Sequence, residues 1–219
     1  EMDPTRYKQW ALAQNTNPLR NNTMEEAMRD ADLLIALSTP GPNTIKPDWI
    51  RLMAPKAIVF TCANPVPEIY PYDAKAAGAY IVATGRGDFP NQVNNSCGFP
   101  GILKGALTVR ATKITDSMAI AAAHSLALFA RNRGIDTESI VPTMDETEVF
   151  AHEAADVAMQ AIADGVAQIQ PSREEVFKIA MEDITASRSL THKMMEDGYL
   201  SPPPQDLINQ ALAACGIEA

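Results

Sequence analysis

Three short apolar runs, spaced at near-even intervals, constrain this chain more than any other feature. DLLIALST covers 32–39, AIVFTCA covers 57–63 and YIVATG covers 80–85. Each is nearly continuous in apolar residues rather than alternating, which is the pattern of a parallel strand buried on both faces. Pro40, Gly41 and Pro42 stop the first run, and Asn64 with Pro65 stops the second. Parallel neighbours need a crossover between them, and each gap holds a candidate. KPDWIRLM (46–53) reads as a short helix, and DAKAAG (73–78) as another that closes on a glycine. A helix from Met24 to Asp30 precedes the first strand. Thr23 is placed to cap it, and Glu25 and Glu26 sit in the first turn where the helix dipole favours them. The expected fold class is therefore α/β, a doubly wound parallel sheet.

Past Gly101 the pattern turns helical. Ile114 to Asn132 predicts one long helix, with Ile114, Met118, Ala122, Leu126 and Phe129 on one face and Gly134 just beyond its end. Glu146 to Ile169 predicts a second, with Phe150, Ala154, Val157, Ala161 and Ile162 inward. Arg173 to Glu196 predicts a third, more charged and ending near Gly198, and a short helix follows the Pro202–Pro204 spacer from Gln205. Two parts are expected: residues 1–110 as the later part of a nucleotide-binding sheet, and residues 111–219 as a helical segment packed on it. A net charge of −9, with no run of Lys and Arg, argues against nucleic acid or an anionic membrane as partner. The longest apolar stretch, Met118 to Ala130, is too short to span a bilayer. Cys62, Cys97 and Cys215 are an odd count without CxxC spacing, which fits free thiols in a reducing cytoplasm.

Ligands of an open parallel sheet bind outside the carboxyl ends of its strands. Here each strand runs into a polar loop there: STPGPNT (38–44), ANPVPEI (63–69) and TGRGDFPNQVNN (84–95). The segment PNQVNNSCGFPG (90–101) holds three Asn and one Gln in six positions before an apolar FPG turn that leads into the helical region. Asn64 and the pair Asn94 and Asn95 fall on the same rim. A neutral amide both donates and accepts, so it can hold a carboxylate, a hydroxyl or a carboxamide without burying another charge. The competing reading is local, because Asn before Pro often bonds its own backbone in a turn. Arg86 and Asp88 read as a loop-fixing ion pair, His124 as a structural histidine, and His152 and His192 as solvated. Neither Cys62 nor Cys97 has a histidine nearby in sequence to activate it. No GxGxxG phosphate loop and no metal-ligand spacing is present.

The stretch IVFTCANPVPEIYPYDAKAAGAYIVATGRGDFPNQVNNSCGFPGILKGAL (58–107) resembles the nucleotide-binding domain of bacterial malic enzymes. The likeness extends upstream through DADLLIALSTPGPNTIKPDWI and, more loosely, downstream to SREEVFKIAMEDITASRSLTHKMMEDGYL. Local departures are Gly87 in place of the usual Ser, Ser96 and Cys97 in place of an apolar pair, and Lys104 in place of Arg. The resemblance implies a Rossmann-like sheet, incomplete in this chain, and oxidative decarboxylation of (S)-malate to pyruvate and CO2 with NAD or NADP and Mg2+ or Mn2+. It implies substrate contacts from Asn64 and Asn95, and coenzyme contacts from Ser38, Thr39, Asn64, Asn94 and Asn95. The family's acid tyrosine, base lysine, metal ligands and phosphate loop match nothing here, Tyr7 and Lys8 included. The chain is thus expected to be the carboxy-terminal part of a cytoplasmic homodimeric enzyme, inactive alone. A malolactic enzyme releasing lactate, and a nucleotide-binding module without chemistry of its own, are the alternatives.

Overall fold

The structure, a computed structural model, describes residues 23–214. Cys215 and residues 1–22 lie outside the described residues. Helix α1 (Met24–Met28) begins on Thr23, whose hydroxyl accepts the Glu26 N–H at 3.1 Å. Strand β1 (Leu33–Ala36), helix α2 (Pro47–Ile50), strand β2 (Ile58–Thr61), helix α3 (Pro71–Ala76) and strand β3 (Ile81–Thr84) follow in order. Proline at the start of α2 and α3 suits the first turn, where its missing N–H costs nothing. The three strands form one parallel sheet in the order β1-β2-β3. Ala36 pairs with Thr61, and Thr61 with Thr84, so all three strands end level.

Each strand is four residues long, shorter than its apolar run, because the pairing register ends at Ala36, Thr61 and Thr84. Nor is β1 buried on both faces. Leu33 and Ile35 are 48% and 55% exposed, and Leu37 just beyond them is 71% exposed. On its other side the sheet packs well: Val59, Ile69, Ala74 and Val82 join Ile45, Ile50 and Met28 in one buried cluster.

Helix α4 (Asn95–Thr108) departs from the expected FPG turn, since Pro100 lies inside it. What holds this segment helical is tertiary packing. α4 lies so close on α6 (Glu148–Ala163) that a Cβ on Gly105 would stand 2.5 Å from the Ala154 carbonyl and 2.9 Å from Val157 Cβ. Gly101 is matched in the same way by the Glu153 side chain. Helix α5 (Asp116–Arg133) starts two residues later than its pattern suggests, on a Thr115 cap that accepts the Met118 N–H. Ile114 is consequently half exposed, while Met118 and Ala122 are buried. α6 ends at Ala163 because Gly165 takes a left-handed φ of 69°. Helix α7 (Arg173–Glu196) opens on a reciprocal capping box between Ser172 and Glu175. Helix α8 (Gln205–Ala214) buries no residue. Val109, Met118, Val157, Ala161 and Val176 form a second buried cluster, to which α4 contributes Ala106.

His152 meets expectation in part: its side chain is 34% exposed and stands among charges, with Glu148 at 3.5 Å and Arg173 at 3.4 Å, but it also lies between Phe177 and Phe129, at ring-centroid distances of 4.7 and 6.1 Å. His124 is exposed, so it has no core role, and His192 is exposed as expected. Among the described residues no helix is long and apolar enough to cross a membrane.

Candidate functional site at the strand ends

Because the strands end level, the loops that follow them start side by side. Ser38 and Thr39 leave β1 exposed, and Thr44 Oγ1 donates to the Thr39 carbonyl at 3.2 Å. Beside them, Asn64 follows β2 with its side chain exposed and resting on Gly85 of the third loop. A Cβ on Gly85 would stand 3.0 Å from Asn64 Oδ1 and 3.1 Å from Nδ2, so glycine is what lets the amide lie there. Arg86 reaches back to the Pro65 carbonyl at 3.3 Å and grips Asp88 at 2.8 and 2.6 Å, which is the expected ion pair. The Arg86 hydrogen bonds hold the Asp88 carboxyl below its ordinary range.

The amides of PNQVNN are not equivalent. Asn91 is buried and fully committed to backbone. Its Nδ2 donates to the Val82 and Thr137 carbonyls at 3.0 and 2.8 Å, and its Oδ1 accepts the Ile140 N–H at 2.8 Å. Asn94 caps α4 by accepting the Ser96 N–H at 3.0 Å and donates to the Gly85 carbonyl at 2.8 Å. Asn95, the first residue of α4, is exposed. Among the described residues neither Asn64 nor Asn95 spends its side-chain amide on a hydrogen bond. Gly85 is a meeting point, touched by the Asn64 amide and bonded at its carbonyl by Asn94, the residue before Asn95. A groove of about 410 Å³ opens from Asn95 between α4 and α5, lined by Phe99, Ile102, Ala123, Leu126 and Val141.

Glu68, within ANPVPEI, is a residue of the rim that its sequence pattern does not by itself single out as functional. It is fully buried. Its Oε1 accepts the Ser38 N–H at 2.9 Å and its Oε2 the Ala63 N–H at 3.1 Å. The signal was available as a lone acidic residue between Pro67 and Ile69 in an otherwise uncharged stretch. Cys62 lies beside this carboxylate, and burial together with the Glu68 charge pushes its thiol above the ordinary range, away from nucleophile behaviour. Among the described residues no three His, Cys, Asp or Glu side chains cluster to hold a metal ion, so this part of the chain does not fit one.

Residues 5–163 match the family described as malic enzyme, NAD binding domain. The chain belongs to the malic enzyme family. It is 42% identical over 166 residues to the bifunctional malic/malolactic enzyme of Bacillus subtilis, covering 75% of this chain and 40% of that protein. It is 38% identical over 161 residues to the NADP-dependent malic enzyme of Halomonas elongata, covering 67% of this chain and 38% of that protein. The crystal structure of the Entamoeba histolytica malic enzyme superposes with a TM-score of 0.92 at 56% identity, covering 97% of this chain and 44% of that one. The chain thus spans about two fifths of these malic enzymes, and its parallel sheet is the Rossmann-like sheet of their nucleotide-binding domain.

Proposed function

We propose that this chain is the carboxy-terminal part of an NAD(P)-dependent malic enzyme, a cytoplasmic homodimer that oxidises and decarboxylates (S)-malate to pyruvate and CO2. The observation that carries the reading is the pair of uncommitted amides by the level strand ends: Asn64, which lies against Gly85, and Asn95, which follows the Asn94 that bonds the Gly85 carbonyl. Residues 1–110 would complete the later part of the nucleotide-binding sheet. Residues 111–219 would pack on it and on sequence preceding this chain. The exposed Leu33, Ile35 and Leu37 of the β1 edge, an apolar face that needs cover, support that placement. The free thiols Cys62 and Cys97 support a reducing compartment.

The rim fits a nicotinamide coenzyme. Gly85 sets no side chain against the Asn64 amide, and Ser38 and Thr39 present an exposed polar loop one strand away, suited to the coenzyme ribose. When bound, the coenzyme supplies the hydride acceptor for malate C2. What the chain's own residues do is orient. Asn95 donates to a malate carboxylate, Asn64 holds substrate and the nicotinamide side of the coenzyme, and Asn94 keeps Gly85 and the start of α4 in register. Fixing that rotation brings C2–H toward the ring in a near-attack arrangement. Mg2+ or Mn2+, and the acid and base groups, are assigned to the remainder of the enzyme, since the described residues offer no ligand set.

A hydrogen bond to a charged group is worth about 1.5–3 kcal/mol. In the intact enzyme Asn95→Ala is therefore expected to lower kcat/KM for malate roughly ten- to a hundredfold. An unchanged kcat/KM would remove the proposed role. The second reading, malate to lactate with NAD retained, is favoured by the relative that is named as bifunctional. Steady-state NADH production separates the two outcomes.

A further inference from the structure

Glu68 does something that neither a core residue nor a ligand contact does: it ties two loops of the rim to one carboxylate. The loop after β1 and the loop after β2 are separate connections, yet Ser38 N–H and Ala63 N–H both end on the Glu68 side chain, at 2.9 and 3.1 Å. Its main chain adds a third tie, since the Glu68 carbonyl accepts the Ile45 N–H at 3.0 Å. The side chain is wholly shielded from solvent, so water does not compete for either oxygen. A carboxylate accepting two backbone N–H groups in such a setting makes charge-assisted bonds, roughly twice as strong as neutral ones. Ser38 heads the Ser38–Thr39 loop, and Ala63 immediately precedes Asn64.

We propose that Glu68 is a positioning residue, a clamp that fixes the loop carrying Ser38 and Thr39 against the loop carrying Asn64, and so sets how coenzyme and substrate meet. This deepens the malic enzyme reading and rests on it. The clamp acts on geometry rather than on binding as such. Its loss should therefore appear in kcat, where near-attack alignment counts, more than in the malate KM.

Glu68→Gln is the test because it keeps shape and volume. It replaces one acceptor oxygen by an NH2 group facing a backbone N–H, so one tie is lost. In the intact enzyme, kcat for malate oxidation should fall tenfold or more while the malate KM moves less than threefold. The primary deuterium effect from malate deuterated at C2 should rise as hydride transfer becomes limiting. Amide hydrogen exchange should quicken at Ser38 and Ala63 and stay unchanged at Val59 and Val82 in the strands. A kcat within twofold of the parent overturns the proposal, as does faster exchange spread through the strands, which would make Glu68 a general stabiliser. If the parent enzyme does not oxidise malate, the functional reading fails by itself. The clamp is then judged by exchange alone: quickening confined to Ser38 and Ala63 upholds it, and no change at those amides overturns it. If the variant does not fold, exchange in the parent decides. Slow Ser38 and Ala63 amides support the clamp, and exchange at the rate of an unprotected loop refutes it.

Discussion

Glu153 on α6 is fully buried, and neither of its carboxyl oxygens has a hydrogen-bond partner among the described residues. It faces the glycine-lined side of α4 at Gly98 and Gly101, and α6 on either side of it contributes Ala151 and Ala154 to an apolar cluster completed by Ala180 of α7. Burial without a compensating bond disfavours the charged form and pushes this carboxyl up to about 8. The sign of the consequence is fixed. The folded state holds the proton more tightly than the unfolded chain, in which Glu153 titrates near its ordinary value of 4.5. Stability attributable to this group is complete below that value, declines as pH rises, and levels off above about 8. With 1.36 kcal/mol per pK unit, the loss is about 3 kcal/mol at pH 7 and about 5 kcal/mol at the alkaline plateau. Glu153→Gln keeps the shape, leaves a similarly unpartnered neutral group and removes the titration. Urea unfolding of parent and variant should give nearly equal stabilities at pH 4.5. The variant should then gain on the parent steadily until pH 8. A stability difference that stays flat across this range would refute the reasoning, because it would mean that the carboxylate is solvated or paired in the folded protein.

Asn91→Ala should destabilise the fold by roughly 1–3 kcal/mol, since it breaks three bonds that join β3 to the 137–140 segment and strands the buried Val82 carbonyl along with the partly buried Thr137 carbonyl and Ile140 N–H. A drop below about 0.5 kcal/mol in thermal or urea unfolding would show that water replaces all three bonds. The proposed homodimer is expected to cover part of the apolar surface carried by Leu190 and Met195 on α7, by Tyr199, and by Leu207 on α8, which are 62%, 52%, 78% and 56% exposed. Sedimentation equilibrium of the intact enzyme should return twice the subunit mass, and a monomer at micromolar concentration would contradict it.

The sheet was legible because its signal is local. Three apolar runs and two intervening helical stretches declare a parallel alternation without reference to anything distant, and the register then levels the strand ends. α4 was not legible because its composition argues against a helix. Gly98, Pro100, Gly101 and Gly105 each lower helix propensity, and only the closeness of α6 makes Gly101 and Gly105 necessary. The exposed flank of β1 is hidden from the sequence for a related reason: a continuous apolar run says that a face will be covered, not by which part of a protein. The asparagines show the limit most clearly. In the sequence, Asn91, Asn94 and Asn95 are three copies of one residue in six positions, and any of them could face a ligand. What separates them is hydrogen-bond accounting. Buried polar groups must be satisfied, and the structure satisfies Asn91 with β3 and its neighbour segment and Asn94 with the start of α4 and Gly85. Asn95 is left over, and so is Asn64, which rests on Gly85. A residue type marks an amide as able to bind. Its availability is settled only after the backbone has taken what it needs, and in this chain that leaves Asn64 against Gly85 and Asn95 at the start of α4, with Gln92 against Gly87, at the edge where a parallel sheet receives its ligands.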